Sequence, residues 1–444
     1  MNIYKNILVI RPDMIGDCIL ITPAITLLKK RFPEAKITVL CRSYTKDVFL
    51  NNPDIDQVIE DWFVDCKKKS FWEYVKFIKS HNFDCSIHFY NELPYALLAL
   101  FAGIKTRVGD ISKPLLRPFY NLTSNCRWHD LTLHEVEHNI LLLKPLGIGL
   151  PKDPIPLKVI PDNDGSFNIK KPYGIIHLGT GKSKSNKAWP AEKFAKVAEY
   201  LLKHNKLVVT GSQNEIPAAK KIKALCPDVI DFCGKTSLAD LIKIISECSL
   251  FVSIDTGILH AAAALNIPTV AIFPTKFFKA SEWGPWETKH IIVRKPENCI
   301  HRCAPAKCIF DDCYKSIMPE DVIKAAIELC SGFSESPKPY WFKKSANITS
   351  NKEEIVRELC INGFHATKLS LPQSIFDLYK TFVREDINII HWVGGGFLPI
   401  LIIKLAALLA TPKLAIPPLI IHEKQFKNRA INDLIPFYME NFKK

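Results

Sequence analysis

The chain has 444 residues, enough for two or three domains with real cores, and is 48% hydrophobic and 23% charged, an ordinary globular composition. Lys and Arg number 59 against 45 acids, a formal net charge of +14 that favours anionic partners such as nucleotides, nucleic acid or an acidic membrane surface. The most membrane-like run, residues 397–410, is interrupted by Pro399 and Lys404 and is too short to span a bilayer. The basic residues form no aromatic-interleaved patch, so nucleic acid is not the expected partner.

The N-terminus runs straight into a strand at residues 6–10, with no charged and then apolar leader, so a cytoplasmic location is expected. The fourteen cysteines then read as reduced, mostly buried thiols rather than a disulfide frame. After the first strand comes the turn Arg11-Pro12-Asp13-Met14-Ile15-Gly16-Asp17. A helix is predicted over 18–31 and a second strand over 36–41. Strands at 57–60, 85–89 and 106–109 alternate with helices at 71–78 and 96–102, the pattern of a parallel sheet with helices on both faces. A helix over 132–146 ends at Gly147, and 151–161 reads as a Pro-rich linker.

A second α/β series begins with a strand at 173–178. It continues with a helix at 191–204, a strand at 207–210, a helix at 216–225, a strand at 229–232 and a helix at 237–246. It culminates in 249–275: a continuous apolar strand, the polar loop Asp255-Thr256-Gly257, a small-residue helix stopped by Pro268, and another strand. Two parallel-sheet domains joined by a linker predict a cleft between them. From Ser331 the composition changes. Residues 334–350 read as a linker, and a partial α/β extension of unknown role follows at 351–444, with strands at 366–369, 387–391 and 419–421.

Three loops carry candidate chemistry. Asp13 and Asp17 flank Gly16; a carboxylate facing the cleft could take a proton from a substrate hydroxyl, or Asp13 could cap the helix with Asp17 as its first-turn acid. The loop from Gly179 through Thr180 and Lys182 to Lys187 offers N–H groups, hydroxyls and ammonium groups suited to a pyrophosphate, although it lacks P-loop spacing; its alternative is a solvated cap of the next helix. Asp255-Thr256-Gly257 lies where α/β sheets bind ligands, at a strand's carboxyl end and a helix start. Two further patterns are set aside. His134-Glu135-Val136-Glu137-His138 matches the zinc-protease helix motif but has no third ligand, and reads as a helix lying over the domain surface. Cys299, Cys303, Cys308 and Cys313 could hold zinc or an iron–sulfur cluster, but the spacing fits neither, and no metal ligands are assigned.

Taken in order, Arg11 to Asp17, Lys187-Ala188-Trp189-Pro190 and Asp255 to Ala263 resemble glycosyltransferase family 9, the ADP-heptose:lipopolysaccharide heptosyltransferases, over about residues 6–330. A segment at 317–322 after the cysteines adds to the resemblance. The resemblance implies a GT-B fold: an N-terminal Rossmann-like acceptor domain (1–158) and a C-terminal Rossmann-like nucleotide-sugar domain (159–333). It also implies inverting sugar transfer from ADP-heptose to a lipid-linked core saccharide, at the cytoplasmic face of the inner membrane, with no cofactor or metal required. Asp17 matches the family's general base, with Asp13 as the lesser candidate. Thr180 and Lys187 fall at the donor phosphates, Glu215 at the ribose, and Asp255, Thr256, Gly257 and His260 in the donor loop. One departure is that Phe273-Pro274-Thr275 lacks the family's glycine between Phe and Pro. The extension faintly resembles the N-terminal half of family 4 glycosyltransferases.

Overall fold

The computed structural model describes residues 4–65, 70–126, 133–162, 167–179, 188–273, 280–295 and 316–330, together with strands at 345–349, 366–369, 389–393 and 419–422. The first sheet contains β1 (Asn6–Ile10), β2 (Lys36–Cys41), β3 (Gln57–Glu60), β4 (Cys85–His88), β5 (Thr106–Asp110) and β6 (Leu122–Ser124). All neighbours pair in parallel, in the order β3-β2-β1-β4-β5-β6. This is a doubly wound dinucleotide-fold order, whose ligand crevice lies outside the carboxyl ends of β1 and β4. Strand side chains alternate between faces, so β1 must be apolar throughout. Ile7 and Val9 enter one core, and Leu8 and Ile10 the other.

The first half contributes α1 (Ile15–Leu20), α2 (Thr22–Arg31), α3 (Trp62–Asp65), α4 (Phe71–Ser80), α5 (Leu93–Phe101) and α6 (Glu135–Leu141). The single helix predicted over 18–31 is therefore two. Pro23 has no N–H to give to the Ile19 carbonyl, and the Thr22 hydroxyl donates to it instead at 2.7 Å. The helix ending at Gly147 is also broken: α6 stops at Leu141, a short 3₁₀ turn covers Lys144–Leu146, and Gly147 closes it at φ 77°.

The second sheet repeats the plan with β7 (Tyr173–His177), β8 (Lys206–Thr210), β9 (Ile230–Asp231), β10 (Leu250–Ile254), β11 (Thr269–Ile272) and β12 (His290–Val293). Its order is β12-β11-β10-β7-β8-β9, which is the first sheet's order counted from β7. Around it lie α7 (Ala191–Leu202), α8 (Ile216–Leu225), α9 (Leu238–Ser246), α10 (Gly257–Ala264), α11 (Ala280–Trp283) and α12 (Pro319–Cys330). Both sheets belong to one compact unit. The core beneath β1 and β2 is closed from the second half by Ile242, Ala261, Ala263 and Trp286.

The second unit holds β13 (Ser345–Thr349), β14 (Ala366–Leu369), β15 (Ile389–Val393) and β16 (Leu419–His422), a parallel sheet in the order β14-β13-β15-β16. β13 is a correction, because it falls inside the span 334–350 expected as a linker and pairs with strands on both sides. Ser345-Ala-Asn-Ile-Thr349 is too polar and too short to register as a buried strand by hydrophobic pattern. Among the described residues no helix is long and apolar enough to cross a membrane. The eight described cysteines are free thiols, seven of them buried.

Candidate active site

β1 delivers Arg11 into the crevice at its carboxyl end. The guanidinium is buried, at 4% exposure. Nη1 donates to the Phe89 carbonyl at 2.5 Å and Nη2 to Asp17 Oδ1 at 2.9 Å. The same Nη2 lies 4.0 Å from Asp13 Oδ2 and 3.9 Å from Glu135 Oε1. Three carboxylates thus converge on one guanidinium, and a paired, buried charge of this kind fixes the geometry of its partners. Burial, with the neighbouring Asp17 adding to it, pushes the Asp13 carboxyl above the usual range. Burial raises Glu135 further, to about 8, against the pull of Arg11 and with Asp17 and Glu282 reinforcing it. Asp17 is the first-turn acid of α1. Asp13 accepts from the Met14 N–H at 2.9 Å, and Met14 is the residue that caps the helix.

The second half meets this cluster through two glycines. A Cβ built on Gly16 would stand 3.0 Å from Gly257 Cα and 3.0 Å from His260 Cδ2. A Cβ on Gly257 would stand 2.7 Å from Gly16 N. Neither position has room for a side chain, so the starts of α1 and α10 approach backbone to backbone. Asp17 and the donor-type loop thereby share one crevice.

On the α10 side, Thr256 is the N-cap residue, yet its hydroxyl caps nothing. Thr256 Oγ1 and His260 Nδ1 are both buried without a hydrogen-bond partner among the described residues. Burial holds the His260 imidazole down at about 4, so it is neutral near pH 7. A helix start with free N–H groups, an unused hydroxyl and an unused ring nitrogen can take up a phosphate. Asp255 is anchored through its backbone, its N–H donating to the Ile272 carbonyl at 3.0 Å.

Glu215 sits beyond the carboxyl end of β8, and its Oε2 accepts from Ser212 N at 2.8 Å and Ser212 Oγ at 2.7 Å. Gly211 beside it lacks space for a Cβ, which would lie 2.9 Å from Cys233 Sγ. Thr180, Lys187, the cysteines 299, 303, 308 and 313, and Pro274-Thr275 lie outside the described residues.

The zinc-type pattern resolves differently from the surface helix expected. His134, Glu135 and His138 are buried. His134 caps α6: Nδ1 accepts from Val136 N at 3.2 Å, and Nε2 donates to the Gly284 carbonyl at 3.0 Å. His138 Nδ1 donates to the Cys126 carbonyl at 2.7 Å. Among the described residues no group of three or more His, Cys, Asp or Glu side chains is placed to hold a metal. The pattern instead supplies Glu135 to the Arg11 cluster, a role that sequence reasoning missed. Arg11 was visible in the turn, but its three-way pairing depends on which helix the fold brings over β1.

The family model for glycosyltransferase family 9 (heptosyltransferase) matches residues 71–312, more than half of the chain. The chain belongs to glycosyltransferase family 9. It is 23% identical over 341 residues to lipopolysaccharide heptosyltransferase 3 of Escherichia coli, covering 70% of this chain and 95% of that protein. It is 26% identical over 330 residues to lipooligosaccharide heptosyltransferase 2 of Campylobacter jejuni, covering 72% and 96%. The solved structure of the E. coli ADP-heptose lipopolysaccharide heptosyltransferase II superposes with a TM-score of 0.60 at 21% identity, over 73% of this chain and 98% of that one. At that identity the likeness speaks for the fold, and the two sheets facing one crevice are a GT-B architecture. As a family 9 member the chain is a glycosyltransferase enzyme, and its family uses nucleotide-sugar donors.

Proposed function

We propose that this family 9 enzyme transfers heptose from ADP-heptose, with inversion, to a hydroxyl of a lipopolysaccharide-core or related glycolipid acceptor. The observation that carries this reading is the Gly16–Gly257 contact, which sets a carboxylate and an anion-accepting helix start across one crevice. Asp17, oriented by Arg11, removes the acceptor hydroxyl's proton as that oxygen bonds to the anomeric carbon. The bond from the anomeric carbon to the diphosphate oxygen breaks, and the nucleoside diphosphate leaves with the electron pair. The α10 N–H groups, Thr256, His260 and Lys187 receive the charge that grows on the leaving oxygens. Thr180 and Asp255 complete the donor loop and Glu215 meets the ribose, while Asp13 is the reserve carboxylate. In this reading residues 1–158 bind the acceptor and 159–333 the donor. No cofactor beyond the donor is needed, and the protein works at the cytoplasmic face of the inner membrane, where its basic surface meets anionic lipid.

The test is a donor screen, ADP-heptose against UDP-, GDP- and other ADP-sugars, read by product mass. A heptosylated product from ADP-heptose alone supports the reading. Transfer of another sugar would redefine the donor, and binding of ADP-sugars without any product would make the chain a silent binding protein.

A further inference from the structure

Among the described residues thirteen large apolar side chains are exposed, and seven of them lie between Val64 and Leu115. Their centre is α5, which carries no charged residue. Its inner side, with Tyr95, Leu98 and Ala99, packs on Leu8 and Ile10 of β1. Its one polar side chain also turns inward, the Tyr95 hydroxyl donating to Asp61 Oδ2 at 2.9 Å. On the outer side Leu93, Leu97, Leu100 and Phe101 recur at helical spacing. A surface helix ordinarily turns charged residues to water, and one that is apolar on every side belongs against a second apolar phase.

α4 extends this face. Trp72, 58% exposed, meets the Phe101 ring edge-on with centroids 5.2 Å apart. Lys76 and Lys79 follow Trp72 along the same side of α4 and are exposed. A 3₁₀ turn, Pro114–Phe119, seats Leu116 against Ala96 of α5 and holds Leu115 out at 88% exposure, between Lys113 and Arg117. Lys105 stands exposed just past the end of α5. The two acids nearby are engaged, Glu73 by the Ser70 N–H at 2.7 Å and Glu92 by Lys113 at 2.5 Å.

We propose that the α4–α5 face docks on an anionic lipid surface, with Trp72, Leu100, Phe101 and Leu115 entering the interfacial layer and the lysines around them meeting headgroup phosphates. Lysine is depleted where proteins meet proteins, whereas tryptophan set among lysine stems is a composition that settles at the headgroup boundary. The face also adjoins the crevice: Phe89, whose carbonyl takes Arg11 Nη1, lies four residues before Leu93 at the start of α5. A glycolipid embedded beside α5 thus presents its saccharide at the Asp17 edge. That consequence rests on the transferase reading, whereas docking itself is measured without turnover.

The experiment is flotation of the full chain with unilamellar vesicles, phosphatidylcholine mixed with phosphatidylglycerol against phosphatidylcholine alone. We expect binding to the anionic vesicles to be about tenfold or more tighter than to the neutral ones. Trp72→Ser with Phe101→Ser, and separately Lys76→Glu with Lys79→Glu, should each lower that affinity about tenfold or more, with the fold retained by circular dichroism. Leu225→Ser, at an exposed leucine of the second half, should leave it unchanged. No binding by the full chain, equal binding to both vesicles, either α4–α5 variant binding as the unaltered chain does, or an equal loss in Leu225→Ser would overturn the proposal. So would a lipid-free dimer, seen by sedimentation, that Trp72→Ser with Phe101→Ser dissociates, because the face would then belong to a second copy. Should the serine variant not fold, the lysine variant decides. ADP release from ADP-heptose with a deacylated core oligosaccharide reads transfer separately: the variants should retain it, and its absence in the unaltered chain would count against the transferase reading alone.

Discussion

The two sheets share a strand order and differ in what they carry at the equivalent crevice edge. At the end of β1 stand a buried arginine, two carboxylates from the turn and helix that follow, and Glu135 brought over from α6, with Asp13 and Glu135 pushed toward their protonated forms. After β10, the fourth strand of the second repeat, stand a glycine at a helix start, an unused hydroxyl and a neutral imidazole. One edge can accept a proton, and the other can accept an anion. The same backbone plan therefore serves opposite halves of one reaction, and the division of labour lies in a handful of residues after each strand.

The largest test of this division is Asp17→Asn. We expect kcat to fall about 10³-fold, within the usual range for a lost general base, with ADP affinity changed by less than about twofold. A parallel loss of ADP binding, read by calorimetry, would move Asp17 to the donor edge. Next is Gly257→Ala, whose methyl would press on Gly16 N; we expect kcat/KM to drop about 10²-fold, since a small misplacement of reacting groups costs that much. Circular dichroism should show the fold retained. His260→Ala removes a donor-edge ring that also lies against Gly16, and should weaken ADP binding by about tenfold, roughly the worth of one hydrogen bond to a charged group.

A further effect, apart from catalysis, is on stability against pH. Burial depresses His88 and His134 to about 3 and His177 and His260 to about 4, from an ordinary 6.5. The unfolded chain binds protons below 6.5 that the folded chain refuses, so stability should fall as pH drops from 6.5 toward 4. Glu135 acts in the opposite sense: its raised value makes the folded chain hold a proton from about 4.5 to 8, a contribution lost as pH rises through 8. Melting temperature measured across pH 4–9 should therefore decline at both ends. Glu135→Gln should flatten the alkaline limb and leave the acid limb in place.

Much of this was legible in the sequence because parallel strands covered on both faces are apolar throughout. The runs at β1, β2, β7, β8 and β10 could be read for that reason, and the loops after β1 and β10 with them. Short or polar strands such as β6 and β13 carry too little pattern to register. The break between α1 and α2 was signalled by Pro23 and overlooked. The candidate site was half visible: Asp17, Asp255 to Gly257 and His260 stand in local motifs. Glu135 could not be placed, because its partner Arg11 is distant in the chain and only the packing of α6 unites them. Glycine's necessity at 16 and 257 is equally nonlocal, since each is fixed by what lies opposite.

The core closed by Ile242, Ala261, Ala263 and Trp286 beneath the first sheet has a consequence for how the molecule comes apart. Severed from the second half, the first would present the α1 face that packs on α10 to water, and the second would present its four apolar closures. Neither half should therefore be obtainable as a soluble fragment. Heating should melt both sheets in one cooperative transition, and the two edges of the crevice would be lost together.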